Sequence, residues 1–574
     1  MNDFLVTLNA IVWHNSVLFL LLGTGVLFTI WSGFCQYRAL THGVSVVRGK
    51  YDQAGDPGAI NHFQALSAAL SATVGLGNIG GVALAIALGG PGAVFWMWVV
   101  GFFGMSIKLT EVTLSMLYRN TDDPDNPHGG PMWVISKALE RKSAAWGRVG
   151  RGIGVVFCIT LLISTATGGN MFQAWNVGEI TEAYFGIPSV ATGIVLAILV
   201  GMVIIGGIKR IGAVAGRLVP MMVTLYLLTS VYVLVINYEA IPEVFALIFR
   251  AAFSPLDAGG AFLGGTAGYA FLFGMKRALF SNEAGQGTSP IAHSAAKTNE
   301  PAREGVVAGL EPFIDTLVVC TLTALVILST GVWNRNAEAV FASSPEWQQL
   351  GEERWTLPES AAPKRTSGEW QTNTNVFAIV KAHPNVQHGN DLHKFDGKII
   401  LNDQGDARLR WNEFASPVEP TLAEDGIYVT YVGATLTAKA FDSVTPGLGK
   451  WLVTCAAWLF ALSTLISWSY YGEQGAIYLA GERAVMPYKL IFCGLIVVAT
   501  LGFMETDAQL DNLTGAGTGV MLIVNVPIMW LLGYQAMRLY KDYISRLKTG
   551  KMGPGHAPLS IDDLMAGRTD NTEI

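Results

Sequence analysis

Eleven apolar runs dominate this chain, near residues 14–34, 63–90, 92–118, 152–175, 188–208, 218–237, 259–281, 305–331, 449–478, 488–505 and 514–538. Each is long enough, at about 1.5 Å of rise per residue, to cross or nearly cross a hydrocarbon layer of about 30 Å. Backbone in hydrocarbon must satisfy its own polar groups, so runs of this kind fold as helices. Only 14% of the 574 residues are charged, where a soluble domain carries roughly 25%. A water-soluble enzyme is excluded on that ground, and the expectation is an all-α polytopic membrane protein surrounded by lipid.

The net charge of −6 is unevenly spread: acids such as Glu352, Glu353, Asp406, Glu424 and Asp425 gather in the polar segment 333–446. No basic field exists for nucleic acid. The five cysteines lie in or beside apolar runs and are read as small buried apolar residues. Residues 1–10 lack a basic n-region, so the first run is expected to stay as a span.

Lys and Arg in the short loops set the orientation. Arg38, Arg48 and Lys50 follow the first run, and Arg119, Lys137, Arg141, Lys142, Arg148 and Arg151 follow the third. Lys209, Arg210 and Arg217, then Lys297 and Arg303, then Arg483 and Lys489 fall on the same side, as does the tail with Arg538, Lys541, Arg546, Lys548 and Lys551. Loops 176–188 and 505–512 contain none. This bias puts the N-terminus outside, the C-terminus in the cytoplasm and segment 333–446 outside, in a bacterial inner membrane.

The external segment reads as a small domain with short strands at 398–401, 407–411 and 427–436; a disordered hairpin is the competing reading. His383, His388 and His393 are spaced loosely for a metal site. The segment could cap an entrance, contact an unknown partner or serve stability alone.

Two runs break the rules for an ordinary span. Residues 71–81 read Ser-Ala-Thr-Val-Gly-Leu-Gly-Asn-Ile-Gly-Gly, with four glycines in seven residues, each costing a helix about 1 kcal/mol. Run 264–290 contains Gly274-Met275-Lys276-Arg277 and Phe280-Ser281-Asn282-Glu283-Ala284-Gly285, charges that hydrocarbon tolerates only with partners. Irregular backbone at membrane depth survives where it lines a cavity, and paired broken helices in corresponding halves point to a transport site. These runs open the first and sixth of the last ten spans; because five is odd, the second set enters from the opposite side, as in an inverted repeat. The competing reading is that the glycines only permit close helix packing.

At these residues the sequence resembles the alanine/glycine:cation symporter family of the amino acid–polyamine–organocation superfamily. The matching pieces are 75–81, the Gly-Gly-Pro-Gly-Ala-Val-Phe-Trp-Met-Trp run at 89–98, Gly169-Asn170-Met171-Phe172-Gln173, the 280–285 stretch, and Gly472-Glu473 after Trp468-Ser469-Tyr470-Tyr471. Only the external segment falls outside the likeness. The resemblance implies a leucine-transporter-like five-plus-five core with one extra N-terminal helix. Its parts would be 1–62 (extra helix and loop), 63–237 (first repeat), 238–332 and 447–540 (second repeat), 333–446 (insert) and 541–574 (tail). Leu76 departs from the pattern, standing where many members have threonine.

Ser463 and Thr464 are adjacent hydroxyls, and hard oxygen donors suit sodium. Resemblance to the superfamily's common sodium site implies that the carbonyls of Ser71, Val74 and Phe460 complete the shell with Ser463 and Thr464. The alternative is that both hydroxyls bond back within their helix. A carboxylate suits the positive helix end and bare amides near 75–78. The expected substrate residues are Thr73, Gly75, Gly77, Asn78 and Gln173, and the family likeness sets Phe280 and Trp468 as walls that limit cargo to a small side chain. Charged residues within spans are functional candidates: Lys108, Glu111, Lys276, Arg277, Glu283 and Asp315, with Glu311 and Glu473, are read as ion pairs lining the cytoplasmic gate.

Together these observations point to a secondary transporter, with sodium as the coupling ion, no cofactor, and a small neutral amino acid as cargo. A proton-coupled transporter of the same fold is the first alternative, disfavoured because the site region lacks an isolated carboxylate. A solute sensor using the external insert is the second, and a membrane enzyme has no supporting motif.

Overall fold

The computed structural model describes residues 8–9, 11–53, 55–385, 389–402, 405–431, 433–502, 507–552 and 558–566. Helices stand at every one of the expected runs. They are α1 (Asn15–Ser32), α2 (His62–Thr73), α3 (Val82–Gly89), α4 (Gly92–Tyr118), α5 (Pro131–Glu140), α6 (Ala144–Ala166), α7 (Phe172–Phe185), α8 (Ser189–Ile204), α9 (Gly207–Ile236), α10 (Ile241–Phe253), α11 (Ala267–Asn282), α12 (Ser289–His293), α13 (Pro301–Ala308), α14 (Thr321–Ser329), α15 (Ala434–Val444), α16 (Leu448–Ala480), α17 (Val485–Ala499) and α18 (Asp507–Lys548). Among the described residues seven helices are long and apolar enough to cross a membrane, and α2 with the segment Gly77–Gly89, bent by 52° between them, is apolar enough to make an eighth if the pair is one span. The chain is a multi-pass helical membrane protein.

The first break falls where the glycines are. Asn61 and Gln64 cap the start of α2 reciprocally, and the helix ends at Val74 with ψ 96°. A π-turn over Gly77–Gly81 then leads into α3. The second break falls at the C-terminal end of the expected run 264–290. Helix α11 runs through Gly274, Lys276 and Arg277 to Asn282 and starts only at Ala267, after an irregular 254–266. The chain turns at Glu283, Gly285 and Gly287, all with positive φ (55°, 83° and 80°). Gly274 has a packing role instead: a Cβ there would lie 2.4 Å from the Ala93 carbonyl oxygen on α4.

Helices α5 and α10 lie outside the expected runs. In α10, Val244, Ile248, Ala251 and Ala252 face inward while Phe245, Phe249 and Phe253 face out. Helix α5 is similarly one-sided, burying Met132, Val134, Ile135, Ala138 and Leu139. Both are too short to span, and their three- and four-residue apolar spacing is the signal that marks them.

The described residues of the insert form two sheets. A six-stranded antiparallel sheet runs β1-β9-β5-β6-β7-β4, beside a three-stranded sheet β2-β3-β8. The strands are β1 (Ala339–Val340), β2 (Gln348–Gly351), β3 (Arg354–Thr356), β4 (Ser360–Ala361), β5 (Asn375–Asn385), β6 (Asn390–Leu401), β7 (Ala407–Trp411), β8 (Phe414–Ala415) and β9 (Thr421–Val429). Val376, Ala378, Val380, Phe395, Ile399, Leu409, Trp411 and Ile427 form its core. The strand expected over 427–436 stops at Val429: past Gly433 (φ 55°) the chain becomes α15, which buries Leu436, Thr437, Ala440 and Phe441. Thr437 Oγ1 donates to the Ile79 carbonyl at 3.1 Å, so α15 caps the first broken span and belongs with the helices rather than the insert. Asn390 Nδ2, at the β5–β6 tip, donates to Leu263 O at 2.6 Å. His383 and His393 lie with ring centroids 4.4 Å apart; His388 falls outside the described residues. The boundary expected at 540 is absent, since α18 continues to Lys548. Cys455, expected to be buried, faces outward.

Candidate functional site

The break between α2 and the π-turn opens onto a small cavity of about 30 Å³, lined by Ala72, Thr73, Gly75, Gly77, Gly168, Gln173, Phe280, Glu283, Gln286, Thr464, Trp468, Thr514 and Thr518. At about 10–15 Å³ per water position, that space suits a ligand of a few heavy atoms. Of the expected substrate residues, Thr73, Gly75, Gly77, Gln173, Phe280 and Trp468 all meet here. The Phe280 ring packs against Gly77, where a Cβ would lie 3.7 Å from the ring edge. The Trp468 indole presses on the Gly169 α-carbon so closely that a Cβ there would lie 2.5 Å from Trp468 Cγ. Gln173 Nε2 donates to Gly168 O at 3.1 Å, while its Oε1 is buried with no hydrogen-bond partner among the described residues.

Asn78 is the exception. Its side chain is fully buried and used by the protein: Oδ1 accepts from the Gly75 amide at 2.7 Å, and Nδ2 donates to Asp315 Oδ1 at 2.5 Å and to Ser281 Oγ at 3.0 Å. The Asn78 amide in turn donates to Gly75 O. Asn78 therefore ties the break to the π-helical Phe313–Cys320 segment and is absent from the cavity wall. Two of the amides expected to be bare are occupied.

Of the five expected sodium donors, Ser71 and Val74 stand at the end of α2 and Phe460, Ser463 and Thr464 on α16, and the two helices touch there. Ser71 Oγ donates to Ser463 O at 2.7 Å, locking the two helices together. Ser463 Oγ donates back to Phe460 O at 2.9 Å, the in-helix bond that competes with a ligand role. Thr464 differs: its Oγ1 is buried without a hydrogen-bond partner among the described residues, and a Cβ on Gly75 would lie 2.8 Å from it. Only a glycine at 75 leaves this hydroxyl open to the broken end of α2. Val74, the last residue of the helical bonding pattern, donates to Leu70 O and turns its own carbonyl away from the helix path.

The charged candidates divide into separate groups. Lys108 Nζ lies 3.3 Å from Glu311 and 3.9 Å from Glu111, whose Oε2 accepts from Asn525 at 2.9 Å. Glu283, expected at the gate, instead lines the cavity and accepts from Thr288 Oγ1 at 2.5 Å, so a carboxylate stands in the site region that was expected to lack an isolated one. Asp315 is held by Asn78, Ser281 and Thr316 rather than by a cation in any ion pair among the described residues. Lys276 and Arg277 stand apart from the Lys108 group: with Asn9, Trp13, Phe273, Phe280 and Gly515 they line a second recess of about 170 Å³. The Arg277 guanidinium lies 5.9 Å from the Phe280 ring centre. Phe280 lines both spaces, so the single gate expected for all these charges is replaced by groups in different places. Glu473 pairs with Lys489 at 3.0 Å.

A profile of the sodium:alanine symporter family matches residues 1–351 and 422–556. The chain belongs to that family. It is 34% identical to a Methanococcus maripaludis protein named sodium/alanine symporter AgcS, over 92% of this chain and 93% of the relative. A Bacillus subtilis protein named putative sodium/proton-dependent alanine carrier protein YrbD is also 34% identical, over 96% and 94%. Among solved structures, a mutant of the Eremococcus coleocola manganese transporter aligns over 90% of this chain and 94% of its own at 11% identity and a TM-score of 0.45, too loose a likeness to carry a fold assignment.

The family match skips 352–421, which holds most of the insert's sheet. Within the matched regions, sequence reasoning missed Gly168, Gln286, Thr514 and Thr518 as cavity residues, and His62, His293 and Glu304 as a buried ionic group. Gln286 sits in the glycine-rich turn 285–287 and was within reach of the same argument that found the break. The threonines of α18 carry no local signal.

Proposed function

We propose that this protein is a sodium-coupled symporter that imports a small neutral amino acid of the alanine and glycine class by alternating access. The observation that carries the reading is the cavity at the break in the first repeat. There the unpartnered Thr464 hydroxyl, the Gln173 carbonyl oxygen and two aromatic walls, Phe280 and Trp468, surround a space of about 30 Å³ beside interrupted backbone. Sodium is cargo in this scheme. Ser71, Val74, Phe460, Ser463 and Thr464 form its shell, and Thr464 is the donor free to engage it. The amino acid's ammonium faces Gln173 and Glu283, and its carboxylate faces the broken end of the helix. Ordering the Val74 carbonyl around sodium also fixes the neighbouring Gly75–Gly77 wall, so each ligand raises the other's affinity.

The fold in this reading is a leucine-transporter-like five-plus-five inverted repeat with α1 as the extra helix. It is supported by the breaks at 74–81 and 283–288, which open the first and sixth of the last ten spans. The basic loops set the C-terminus and the Lys108 group toward the cytoplasm of a bacterial inner membrane, with the insert outside. Labelled alanine uptake into membrane vesicles, with and without an inward sodium gradient and with a protonophore as control, tests the reading. The expected result is accumulation that follows sodium and is competed by glycine but not by bulky amino acids. Equal uptake with and without the gradient would refute it.

A further inference from the structure

A buried chain of alternating acids and imidazoles leads from the Lys108 group to the surface. Glu311 Oε1 accepts from Ser289 Oγ at 2.6 Å and lies 2.8 Å from His293 Nε2. His293 Nδ1 lies 2.5 Å from Glu304 Oε1, and the other Glu304 oxygen meets His62 Nδ1. His62 Nε2 is buried without a hydrogen-bond partner among the described residues and faces Asp52 Oδ1 across 3.8 Å, a gap the last transfer must close. The side chains of Glu311, His293, Glu304 and His62 are at most 1% exposed, whereas Asp52 is 46% exposed. An imidazole with a carboxylate oxygen at each nitrogen donates to both only as a cation; otherwise one carboxyl holds the proton. His293 is in that position, so this group stores at least one proton beyond those of neutral imidazoles and ionised acids.

We propose that Glu311, His293, Glu304 and His62 form a proton relay between the carboxylates beside the cavity and water at Asp52, adding a proton-linked step to sodium coupling. The relay rests on the transport reading above. Each hop makes one bond to hydrogen and breaks one. A proton on Glu311 Oε1 passes to His293 Nε2 as the proton on Nδ1 passes to Glu304 Oε1; the proton on Glu304 Oε2 passes to His62 Nδ1 as that on Nε2 passes to the Asp52 carboxylate, once the 3.8 Å between them closes to hydrogen-bond distance. The net transfer is one proton from Glu311 to the aqueous face, and the reverse sequence loads it. Glu311 shares Lys108 with Glu111 and, electrostatically, with Glu283 at the cavity wall. A proton on Glu311 thus turns the Lys108 charge toward Glu283, which connects the relay to an occupied or empty cavity.

The charged and titratable groups packed around the relay are Lys108 and Glu111 on α4, Arg119 at its end, Arg303 beside Glu304 on α13, Asp56 in the loop before α2, and Tyr471 on α16. Tyr471 lies within electrostatic reach of Glu283, Glu311 and Glu111. Arg119 Nη1 and Nη2 donate to the carbonyls of Ser294, Ala296, Pro57 and Thr298, so these two nitrogens are engaged by backbone and not by Glu304.

The test uses right-side-out membrane vesicles from a host lacking its own alanine uptake, with external pH and sodium gradient fixed and lumen pH set between about 6 and about 8. The expected initial rate of alanine uptake changes about threefold or more over that range, where histidines titrate. His62→Gln should flatten the profile while keeping sodium-driven uptake, and Asp52→Asn, at the exposed end, should shift its midpoint without lowering the maximal rate. A wild-type profile that is flat in lumen pH overturns the relay. So does a His62→Gln protein that is slower by the same factor at every pH, with Asp52→Asn unchanged in profile, because a purely structural role scales the rate without reshaping it. Wild-type vesicles with no sodium-driven uptake at any lumen pH overturn the transport reading and the relay together.

Discussion

Gly169→Ala tests whether Trp468 walls the cavity. A Cβ at Gly169 would fall 2.5, 2.6 and 2.7 Å from Trp468 Cγ, Cδ2 and Cβ. Carbon atoms rest at about 3.5–4.0 Å, so the indole must retreat by about 1 Å. Tyr471 stands edge-on to it at 5.5 Å, and interiors are close-packed, so the space it can enter is the cavity it lines. One indole face presents roughly 40 Å² of the 150–250 Å² an aromatic side chain buries. A 1 Å advance therefore sweeps about 40 Å³, more than the roughly 30 Å³ that one water occupies in the liquid. Overpacking of this kind costs about 1–3 kcal/mol, or about 5- to 150-fold in affinity. Alanine uptake should show a KM raised within that range, glycine, one methyl smaller, a lesser rise, and the preference should move toward glycine. The double variant with Trp468→Phe should recover part of the loss, because the smaller ring yields the volume. Initial-rate measurements of both substrates at saturating sodium, normalised to protein in the membrane, decide it. Unchanged KM values for both substrates in a normally inserted Gly169→Ala protein would refute the placement of Trp468 at the wall.

Thr464→Ala removes the one hydroxyl of the expected sodium set with no competing hydrogen bond among the described residues; it should raise the sodium concentration for half-maximal uptake about tenfold, the scale of one lost ligand at about 1.4 kcal/mol. Ser463→Ala, whose hydroxyl already bonds to Phe460 O, should do less, and the reverse order of effects would remove Thr464 from the shell. Outside the spans, His42 hydrogen-bonds Tyr543 Oη at 2.8 Å, and burial, with Arg303, Arg38 and Lys50 nearby, pushes its imidazole down to about 4. An unfolded chain takes up that proton near 6.5. Between about 6.5 and about 4 the unfolded state therefore binds more protons, and stability falls as pH falls through that window. His42→Gln should flatten the acid side of the thermal-stability profile; an unchanged acid slope would refute this account.

The features legible in the sequence are those decided by neighbours along the chain. Apolar run length marked the spans, and glycine density marked the break after Thr73, because both act within one helical turn. The second break shows where that locality ends. Gly274 and Gly285 look alike in sequence, yet the first is glycine because α4 approaches within 2.4 Å of where a Cβ would sit, and the second because its φ is 83°. Only the fold separates close approach from chain reversal. Asn78 makes the same point for side chains. Its place in the break suggested a ligand contact, but Asp315, 237 residues away, takes its amide.

The charged residues carry this argument furthest. Read singly, each intramembrane acid or base suggests a gate, since hydrocarbon penalises it. Their partners lie far along the chain: Glu111 meets Asn525 across 414 residues and His62 meets Glu304 across 242. Spacing along one helix cannot reveal such pairs, and the three-residue spacing of Lys108 and Glu111 pointed to the weaker contact, 3.9 Å against 3.3 Å to Glu311. Unpaired burial of any of these charges would cost several kcal/mol, so the group persists only because α4, α12 and α13 bring opposite charges together. That same dependence makes it a switch point: any movement that parts these helices must first neutralise the charges they share, and a proton is the smallest species that can do so.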